Sequence, residues 1–315
     1  MTRVAAVDCG TNSIRLLIAE PGPDGRLIDV DRRMHIVRLG EDVDATGRLA
    51  PAAIERTRVA LAEYAEAMVA AGVEKVRMAA TSATRDAANK DEFFAMTAEE
   101  LGKVAGGARA EVITGDEEAR LSFAGALTDL DTGDKPVLVV DLGGGSTELV
   151  LGHGREVTAA HSADIGCVRV TERALGDDDP PTAAEIAAAE EFIAERLDAA
   201  LAAVPVSEAT ALVGVAGTMT TLGALALGLD SYDPDKIHRR AIAFDEFEKV
   251  CAGVAGLDHA QRAALGPMHP KRVDVIGGGA LVARAVTRAV SKAAGIDEII
   301  ISERDILDGL VLSLT

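Results

Sequence analysis

Two pairs of short apolar runs stand out in the pattern of hydrophobic and polar positions. The first pair covers residues 4–7 and 14–19, and the second covers residues 137–140 and 149–151. Each pair encloses a polar turn rich in Gly, Ser and Thr, which predicts a β-hairpin. The two patterns start 133 residues apart. A hairpin that occurs twice predicts two related lobes that present their turns to a shared cleft.

Between and after these hairpins, strand patterns alternate with helix patterns. Further strands are predicted at residues 27–30, 73–80, 110–113, 211–215, 273–276 and 298–302. Helices are predicted at residues 49–71, 89–105, 118–126, 182–203, 221–227, 280–294 and 305–314. The strand at 273–276 leads into a third glycine-rich turn at 277–279. Alternation of this kind predicts an α/β fold with functional loops at the strand ends.

The pattern divides the chain into two domains of ordinary size. We place the N-terminal lobe at residues 1–122 and the C-terminal lobe at residues 123–302, and a final helix within 303–315 can pack back on the first lobe. The uncharged stretch 209–229 is long enough to span a membrane, but its central Gly and Thr residues argue against a spanning helix. We predict a strand, a turn at 216–220 and a buried helix there.

Charge and composition narrow the classes of partner. The 315-residue chain has a formal net charge of −19 at pH 7 and a pI near 4.7, which argues against general binding of nucleic acid or anionic membranes. Residues 236–272 carry seven Lys or Arg and four acids, a local balance of +3, and form either a track for a polyanion or an ordinary solvated surface. Three widely spaced cysteines and the lack of a signal-peptide pattern predict reduced thiols and a cytoplasmic location.

The two polar turns have the chemistry of phosphate-binding sites. Backbone N–H groups in such turns form an anion-binding concavity, and glycine lets the chain approach a phosphate closely. Arg15 and Arg85 can add charge-assisted hydrogen bonds to phosphoryl oxygens. The phosphate-binding candidates are Gly10, Thr11, Asn12, Ser13, Arg15, Ser82, Gly143, Gly144, Gly145, Ser146 and Thr147.

Acidic residues near these turns predict a metal ion and a general base. Asp8, Asp141 and Glu148 can coordinate Mg²⁺ directly or through water, and Mn²⁺ can substitute because both ions favour oxygen ligands. Glu117 and Glu118 are the candidates for the base that activates an attacking water. Neighbouring residues on a helix point about 100° apart, so we expect only one of them to act, and their spacing does not decide which.

Four motifs occur in order along the chain. They are Asp8-x-Gly-Thr-Asn-Ser-x-Arg15, Thr81-Ser-Ala-Thr-Arg85, Gly115-Asp-Glu-Glu-Ala-Arg-Leu121 and Asp141-Leu-Gly-Gly-Gly-Ser-Thr-Glu148. With this set, essentially the whole chain resembles the exopolyphosphatase/guanosine pentaphosphate phosphohydrolase (Ppx/GppA) family in its short, two-domain form. The resemblance implies a two-lobed actin-like fold of the sugar kinase–heat-shock ATPase–actin superfamily, with an interdomain cleft. It also implies Mg²⁺-dependent removal of a terminal phosphate.

The resemblance bears on residue roles and on the substrate as well. It implies that Glu118, directly before Ala-Arg-Leu, is the catalytic base, and we count Arg85 with the catalytic residues. The expected substrate is inorganic polyphosphate. Guanosine pentaphosphate is the alternative, and a non-hydrolytic actin-like scaffold or sensor is a more distant one. A sugar or acetate kinase is disfavoured by the Glu117–Glu118 pair, and we expect a homodimer with no nucleic-acid or membrane partner.

Overall fold

The computed structural model describes residues 2–22, 27–176 and 178–314, with only the backbone of Asp86. The chain divides into two compact units. One comprises Met1–Leu121 together with Ile306–Thr315, and the other is Ser122–Asp305. Each unit is built on its own β-sheet.

The sheet of the first unit has five strands in the order β3-β2-β1-β4-β5. Its strands are β1 (Val4–Cys9), β2 (Ser13–Pro21), β3 (Leu27–Ile36), β4 (Lys75–Ala80) and β5 (Ala110–Val112). The first three strands are antiparallel neighbours, while β4 and β5 run parallel to β1. The carboxyl ends of β1, β4 and β5 therefore lie at one edge of the sheet.

In the described residues up to Ala126, five helices accompany this sheet. They are α1 (Val43–Thr46), α2 (Pro51–Ala70), α3 (Ser82–Asp86), α4 (Lys90–Leu101) and α5 (Gly115–Ala126). Pro51 occupies the first position of α2, where its missing N–H costs no helical hydrogen bond. α2 and α4 cover one face of the sheet, and the buried Tyr64 of α2 donates its hydroxyl to the Ile14 carbonyl at 2.9 Å. This packing holds β2 in place behind the first polar turn.

The sheet of the second unit repeats the topology of the first. Its strands are β6 (Val137–Leu142), β7 (Thr147–His153), β8 (Glu156–Ala163), β9 (Ala211–Val215), β10 (Arg240–Ala243) and β11 (Glu298–Ile301). Antiparallel β8-β7-β6 is followed by parallel β9 and β11, and β10 adds an antiparallel edge strand. The predicted hairpins β1–β2 and β6–β7 are confirmed, and the repeated α/β topology is the actin-like fold implied by the motifs.

Among the described residues of the second unit, seven helices accompany the sheet. They are α6 (Cys167–Ala174), α7 (Ala183–Ala203), α8 (Ala216–Ala226), α9 (Pro234–Ile237), α10 (Phe244–Ala255), α11 (His259–Ala263) and α12 (Ile276–Ala294). Short 3₁₀ turns cover Val206–Glu208 and Pro270–Arg272. α7 begins at the predicted capping box, where Thr182 and Glu185 exchange hydrogen bonds between side chain and backbone.

The predicted strand at 273–276 and its glycine turn are wrong. Residues 276–279 form the first turn of α12 instead. Residues 273–276 have the apolar pattern of a buried strand, but the glycines that follow them allow close packing between helices. A Cβ on Gly278 would lie 2.5 Å from Thr171 Oγ1, and a Cβ on Gly279 would lie 2.6 Å from Thr218 Cγ2. The missing side chains let α6 and α8 approach α12.

The predicted turn at 216–220 is also wrong, because α8 begins at Ala216 directly after β9. Ala216 is the residue at which β9 passes into α8, and its backbone lies in the left-handed region at φ 70°. The strand and the buried helix predicted on either side are present. In the described part of the chain, no helix combines the length and the apolar character that crossing a bilayer requires.

The last helix, α13 (Ile306–Leu312), belongs to the first unit. Ile306 and Leu310 pack on the sheet face that carries Ala6 and Leu17, the face opposite α2. Arg32 of β3 donates to the Asp308 carboxylate at 2.6 Å and so fixes the helix to the sheet edge. The first unit is therefore assembled from both ends of the chain.

Candidate active site

Three predicted segments leave the same edge of the first sheet. The first polar turn follows β1, α3 with Ser82 and Arg85 follows β4, and α5 with Glu118 follows β5. Because these strands are parallel, their carboxyl ends bring the segments to one place. Thr81 N–H donates to the Cys9 carbonyl at 3.2 Å, which ties the start of α3 to the end of β1.

The first polar turn is closed by its own backbone and joined to α3. Gly10 N–H donates to the Ser13 carbonyl at 2.9 Å, across the end of the hairpin. The hydroxyls of Thr11 and Ser82 share a hydrogen bond of 2.8 Å in a buried position. Two of the predicted phosphate-binding segments therefore meet side chain to side chain.

A loop after β3 holds the carbonyl groups of this turn. Val37 and Arg38 donate their N–H groups to the Asn12 carbonyl at 3.0 and 2.9 Å, and Gly40 N–H donates to the Thr11 carbonyl at 2.8 Å. In the part of the chain that the structure describes, the N–H groups of Thr11 and Asn12 donate to no protein acceptor. A turn whose carbonyls are engaged and whose N–H groups are available is suited to bind an anion.

The second polar turn has the same closure and a different support. Gly143 N–H donates to the Ser146 carbonyl at 3.0 Å, as in the first turn. The beginning of α6 then takes up the carbonyls, with Cys167 N–H donating to Gly143 at 3.0 Å and Val168 N–H donating to Gly144 at 2.8 Å. Both turns therefore have a neighbouring segment that binds their carbonyl oxygens.

Residues 165–169 complete the support of the second turn. Thr147 donates its hydroxyl to the Ile165 carbonyl, and Arg169 Nε donates to the Gly145 carbonyl at 2.7 Å. A Cβ on Gly166 would lie 2.2 Å from the Gly144 carbonyl oxygen, so the backbones touch and only glycine fits there. Within the described ranges, the N–H groups of Gly144 and Gly145 donate to no protein acceptor.

Equivalent positions of the two hairpins carry different charges. Asp8 stands opposite Arg15 across β1 and β2, and Asp141 stands opposite Glu148 across β6 and β7. Arg15 donates to Asp8 Oδ2 from Nε at 3.0 Å and from Nη2 at 2.7 Å. Arg15 is thus paired with a carboxylate, and its contact with phosphate stays a prediction. Its positive charge also makes Asp8 the weakest of the three predicted metal ligands.

The Asp141–Glu148 pair has the donor chemistry of a magnesium site. The two residues are 6% and 1% exposed and face each other across neighbouring strands. Carboxylates at directly opposite positions on neighbouring strands repel each other, and a divalent cation bound between them relieves that repulsion. No cluster of three or more His, Cys, Asp or Glu placed for a metal occurs among the described residues. Mg²⁺ needs only one or two protein carboxylates beside water and phosphate oxygens, so the pair fits it.

The two adjacent glutamates of α5 have different surroundings. Glu118 is 8% exposed, and its Oε2 accepts a 2.6 Å hydrogen bond from Arg85 Nη1, which also donates to the Ile113 carbonyl at 3.0 Å. The Glu117 side chain is 44% exposed and accepts a 2.5 Å hydrogen bond from Arg77. The spacing in the sequence left both glutamates open. The structure gives them different partners, Arg85 for Glu118 and Arg77 for Glu117, and the assignment of the base stays a prediction.

Residues 236–272, for which a polyanion track was one of two interpretations, do not all offer their charge at the surface. Arg272 is buried, and its Nη1 donates to the Gly217 carbonyl and to Thr221 Oγ1, each at 2.6 Å. It fixes the first turn of α8. Lys236 and Lys249 are exposed but paired with nearby acids. Part of the local balance of +3 therefore comes from side chains that are engaged in contacts within the protein.

The three cysteines pack in the cores and form no disulfide with each other. Burial raises the pKa of the Cys9 thiol, and the Asp8 carboxylate adds to that effect. Burial also raises the pKa of Cys167, and it raises that of Cys251 to about 12. Because the thiolate is the reactive form, Cys9 contributes packing to the first turn rather than a nucleophile.

Sequence reasoning missed the side chains that support the second turn and its carboxylates. Ser122 of α5 donates its hydroxyl to Asp141 Oδ2, and Ser162 of β8 donates to Glu148 Oε1 at 2.7 Å. Arg169 and Gly166 support the turn itself. These residues lie outside the four motifs. The one signal in the sequence was that Ser122 directly follows Leu121, the last residue of the third motif.

Several known proteins resemble the chain over almost its whole length. The chain is 56% identical over 317 residues to Exopolyphosphatase 2 of Mycobacterium tuberculosis, covering 100% of this chain and 99% of that protein. The solved structure of an exopolyphosphatase-like protein gives a TM-score of 0.92 at 42% identity, covering 99% of this chain and 97% of its own. A Ppx/GppA family member from Aquifex aeolicus gives a TM-score of 0.80 at 33% identity, with coverage of 99% and 97%. Residues 17–315 match the Ppx/GppA phosphatase family, and the chain, which carries the two turns and the Arg85–Glu118 pair, belongs to that family.

Proposed function

We propose that the protein is an exopolyphosphatase, which removes the terminal phosphate of inorganic polyphosphate as orthophosphate. The observation that carries the proposal is the 56% identity, over the whole chain, to a protein named Exopolyphosphatase 2. The geometry supports the same reaction, because the chain combines two turns that offer N–H groups with a buried carboxylate held by an arginine.

Glu118 is the residue that we assign to activate water. A water oxygen attacks the terminal phosphorus, and the proton of that water passes to a carboxylate oxygen of Glu118. The bond from phosphorus to the bridging oxygen breaks, and its electron pair stays on the shortened polyphosphate. Arg85 holds the carboxylate through its hydrogen bond to Oε2, so the base is oriented before the substrate arrives.

The polar turns supply the hydrogen bonds that a polyanion needs. The N–H groups of Thr11, Asn12, Gly144 and Gly145 are assigned to donate to phosphoryl oxygens. Donors fixed in advance stabilise the charge of the transition state without further reorganisation. Mg²⁺ would be held by Asp141 and Glu148, and when bound it neutralises phosphate charge.

We expect Asp141→Ala and Glu148→Ala each to lose most of the activity, and the remainder to require more Mg²⁺. The reason is that each change removes one of the two oxygen-donor side chains that face each other across β6 and β7. Initial rates over a Mg²⁺ titration measure the effect. Glu191→Ala, which removes an exposed carboxylate of α7, is the control. An unchanged Mg²⁺ dependence in both variants would put the metal elsewhere.

The proposed activity is tested by orthophosphate release with Mg²⁺ from three substrates: inorganic polyphosphate of several lengths, guanosine pentaphosphate and ATP. We expect the highest kcat/KM with polyphosphate. Lack of release from polyphosphate of every length would rule out the proposal. A higher kcat/KM with guanosine pentaphosphate would assign the chain to the alternative activity, guanosine pentaphosphate phosphohydrolase.

Three expectations stay predictions from the sequence. They are the homodimer, the cytoplasmic location and the joint use of both turns by one substrate molecule. Light scattering on the purified protein measures the first, and substrate binding to variants of each turn measures the third.

A further inference from the structure

Four side chains of the second unit form a row of two hydrogen-bonded pairs, Ser162–Glu148 and Ser122–Asp141. Ser162, Glu148 and Asp141 occupy directly opposing positions on β8, β7 and β6, in that order. Ser162 donates its hydroxyl to Glu148 Oε1 at 2.7 Å. At the other end of the row, Ser122 of α5 donates its hydroxyl to Asp141 Oδ2. Each of the two facing carboxylates is therefore held by a serine.

The serines hold carboxylates that have little access to water. Ser122 is fully buried, and Asp141 and Glu148 are buried beside it. A hydroxyl that donates to an ionised carboxylate makes a charge-assisted hydrogen bond, which is shorter and stronger than a bond between neutral groups. Such a bond fixes the rotation of the carboxylate. It does so from a different element in each case, a helix for Asp141 and an edge strand for Glu148.

The first hairpin shows what a different partner does at the equivalent place. There Arg15 holds Asp8 with two N–H groups and brings a positive charge with them. A serine hydroxyl also orients a carboxylate, through one hydrogen bond, but it brings no charge. Serine is therefore the partner expected where a carboxylate must be fixed and must still attract a cation.

We propose that Ser122 and Ser162 are positioning residues that fix Asp141 and Glu148 for binding a divalent cation. The inference rests on the proposed function in one respect, that the reaction uses such a cation. Groups that orient metal ligands commonly change metal affinity or activity by about 10- to 100-fold when they are removed. The serines act through the carboxylates and have no assigned contact with substrate.

Direct binding of Mn²⁺ to the purified full-length chain, followed by electron paramagnetic resonance, tests the proposal without turnover. We expect Ser122→Ala and Ser162→Ala each to weaken Mn²⁺ binding by about 10-fold or more. We also expect the Mg²⁺ concentration for half-maximal polyphosphate hydrolysis to rise, with a smaller change in kcat at saturating Mg²⁺. Ser162→Thr keeps the hydroxyl on a half-buried strand position and should restore the affinity.

Ser302→Ala is the matched control. Ser302 is fully buried in the same unit, but among the described residues its hydroxyl forms hydrogen bonds only with backbone groups of Ala126 and Arg304. Its loss should leave Mn²⁺ affinity unchanged, even if thermal stability falls. If Ser122→Ala does not fold, as judged by circular dichroism, Ser162→Ala and its threonine rescue carry the test alone.

The outcomes separate this inference from the proposed function. Wild-type hydrolysis of polyphosphate together with unchanged Mn²⁺ affinity in folded serine variants would overturn the inference and leave the function standing. If the wild-type protein releases no phosphate, but the serine variants bind Mn²⁺ more weakly than it does, the proposed function is overturned and the inference stands. A wild-type protein that binds no Mn²⁺ would overturn the inference as well.

Discussion

Replacing Glu118 with Gln should lower kcat for polyphosphate hydrolysis by about 10²- to 10⁴-fold. Glutamine keeps the shape of the side chain and can still accept a hydrogen bond from Arg85, but it cannot take a proton from water at neutral pH. Substrate binding should persist, because the predicted phosphate donors belong to other residues. Steady-state kinetics with polyphosphate, together with a binding measurement on the inactive variant, separate kcat from affinity.

Glu117→Gln is the matched control for this variant. Glu117 is the adjacent residue of the same helix, and its half-buried side chain bonds Arg77. We expect turnover close to that of the wild type, with some loss of stability because the ion pair with Arg77 is broken. Normal turnover in Glu118→Gln with loss in Glu117→Gln would transfer the role of base to Glu117.

Gly166→Ala should lower kcat/KM for polyphosphate by about 100-fold, although Gly166 is not assigned to bind substrate. An added Cβ would lie 2.2 Å from the Gly144 carbonyl oxygen and 2.5 Å from the Gly145 nitrogen. Both atoms are backbone, so no side chain can rotate away and the second turn must shift. A displacement of about 1 Å at a group that positions substrate is enough for a loss of this size.

Gly253→Ala shows what the same substitution does where space is available. Gly253 lies in α10, and nothing lies within 4 Å of the position that its Cβ would take. Alanine there should leave kcat/KM unchanged and stabilise the helix by about 0.5–1 kcal/mol. A folded Gly166→Ala protein with wild-type kcat/KM would show that the second turn tolerates displacement and does not hold the substrate.

The parts of the site that are local in sequence could be predicted from it. Each polar turn and its flanking strands form a single hairpin, so the apolar runs around Asp8 and Asp141 were sufficient to place both. The choice between Glu117 and Glu118 could not be made from spacing, because it depends on Arg77 and Arg85, which come from other segments.

The remaining features depend on contacts between distant segments. Ser162 reaches Glu148 only because β8 pairs with β7, and Ser122 lies in a helix that precedes β6. Neither serine belongs to a motif with recognisable chemistry. The strand and glycine turn predicted at 273–279 were wrong for a similar reason. The residues that pack against the glycines of α12 belong to α6 and α8 and are distant in sequence.

The position of α13 sets an order for the synthesis and folding of the chain. Ile306 and Leu310 complete the apolar face around Ala6 and Leu17, yet they are synthesised only after the whole second unit, Ser122–Asp305. At about 5–20 residues per second, that face waits roughly 10–40 s after the first unit's own strands are made. The continuous segment Ser122–Asp305 can fold during that interval from its own residues. The first unit is therefore completed only after the second has been made, and until then this sheet face stays uncovered.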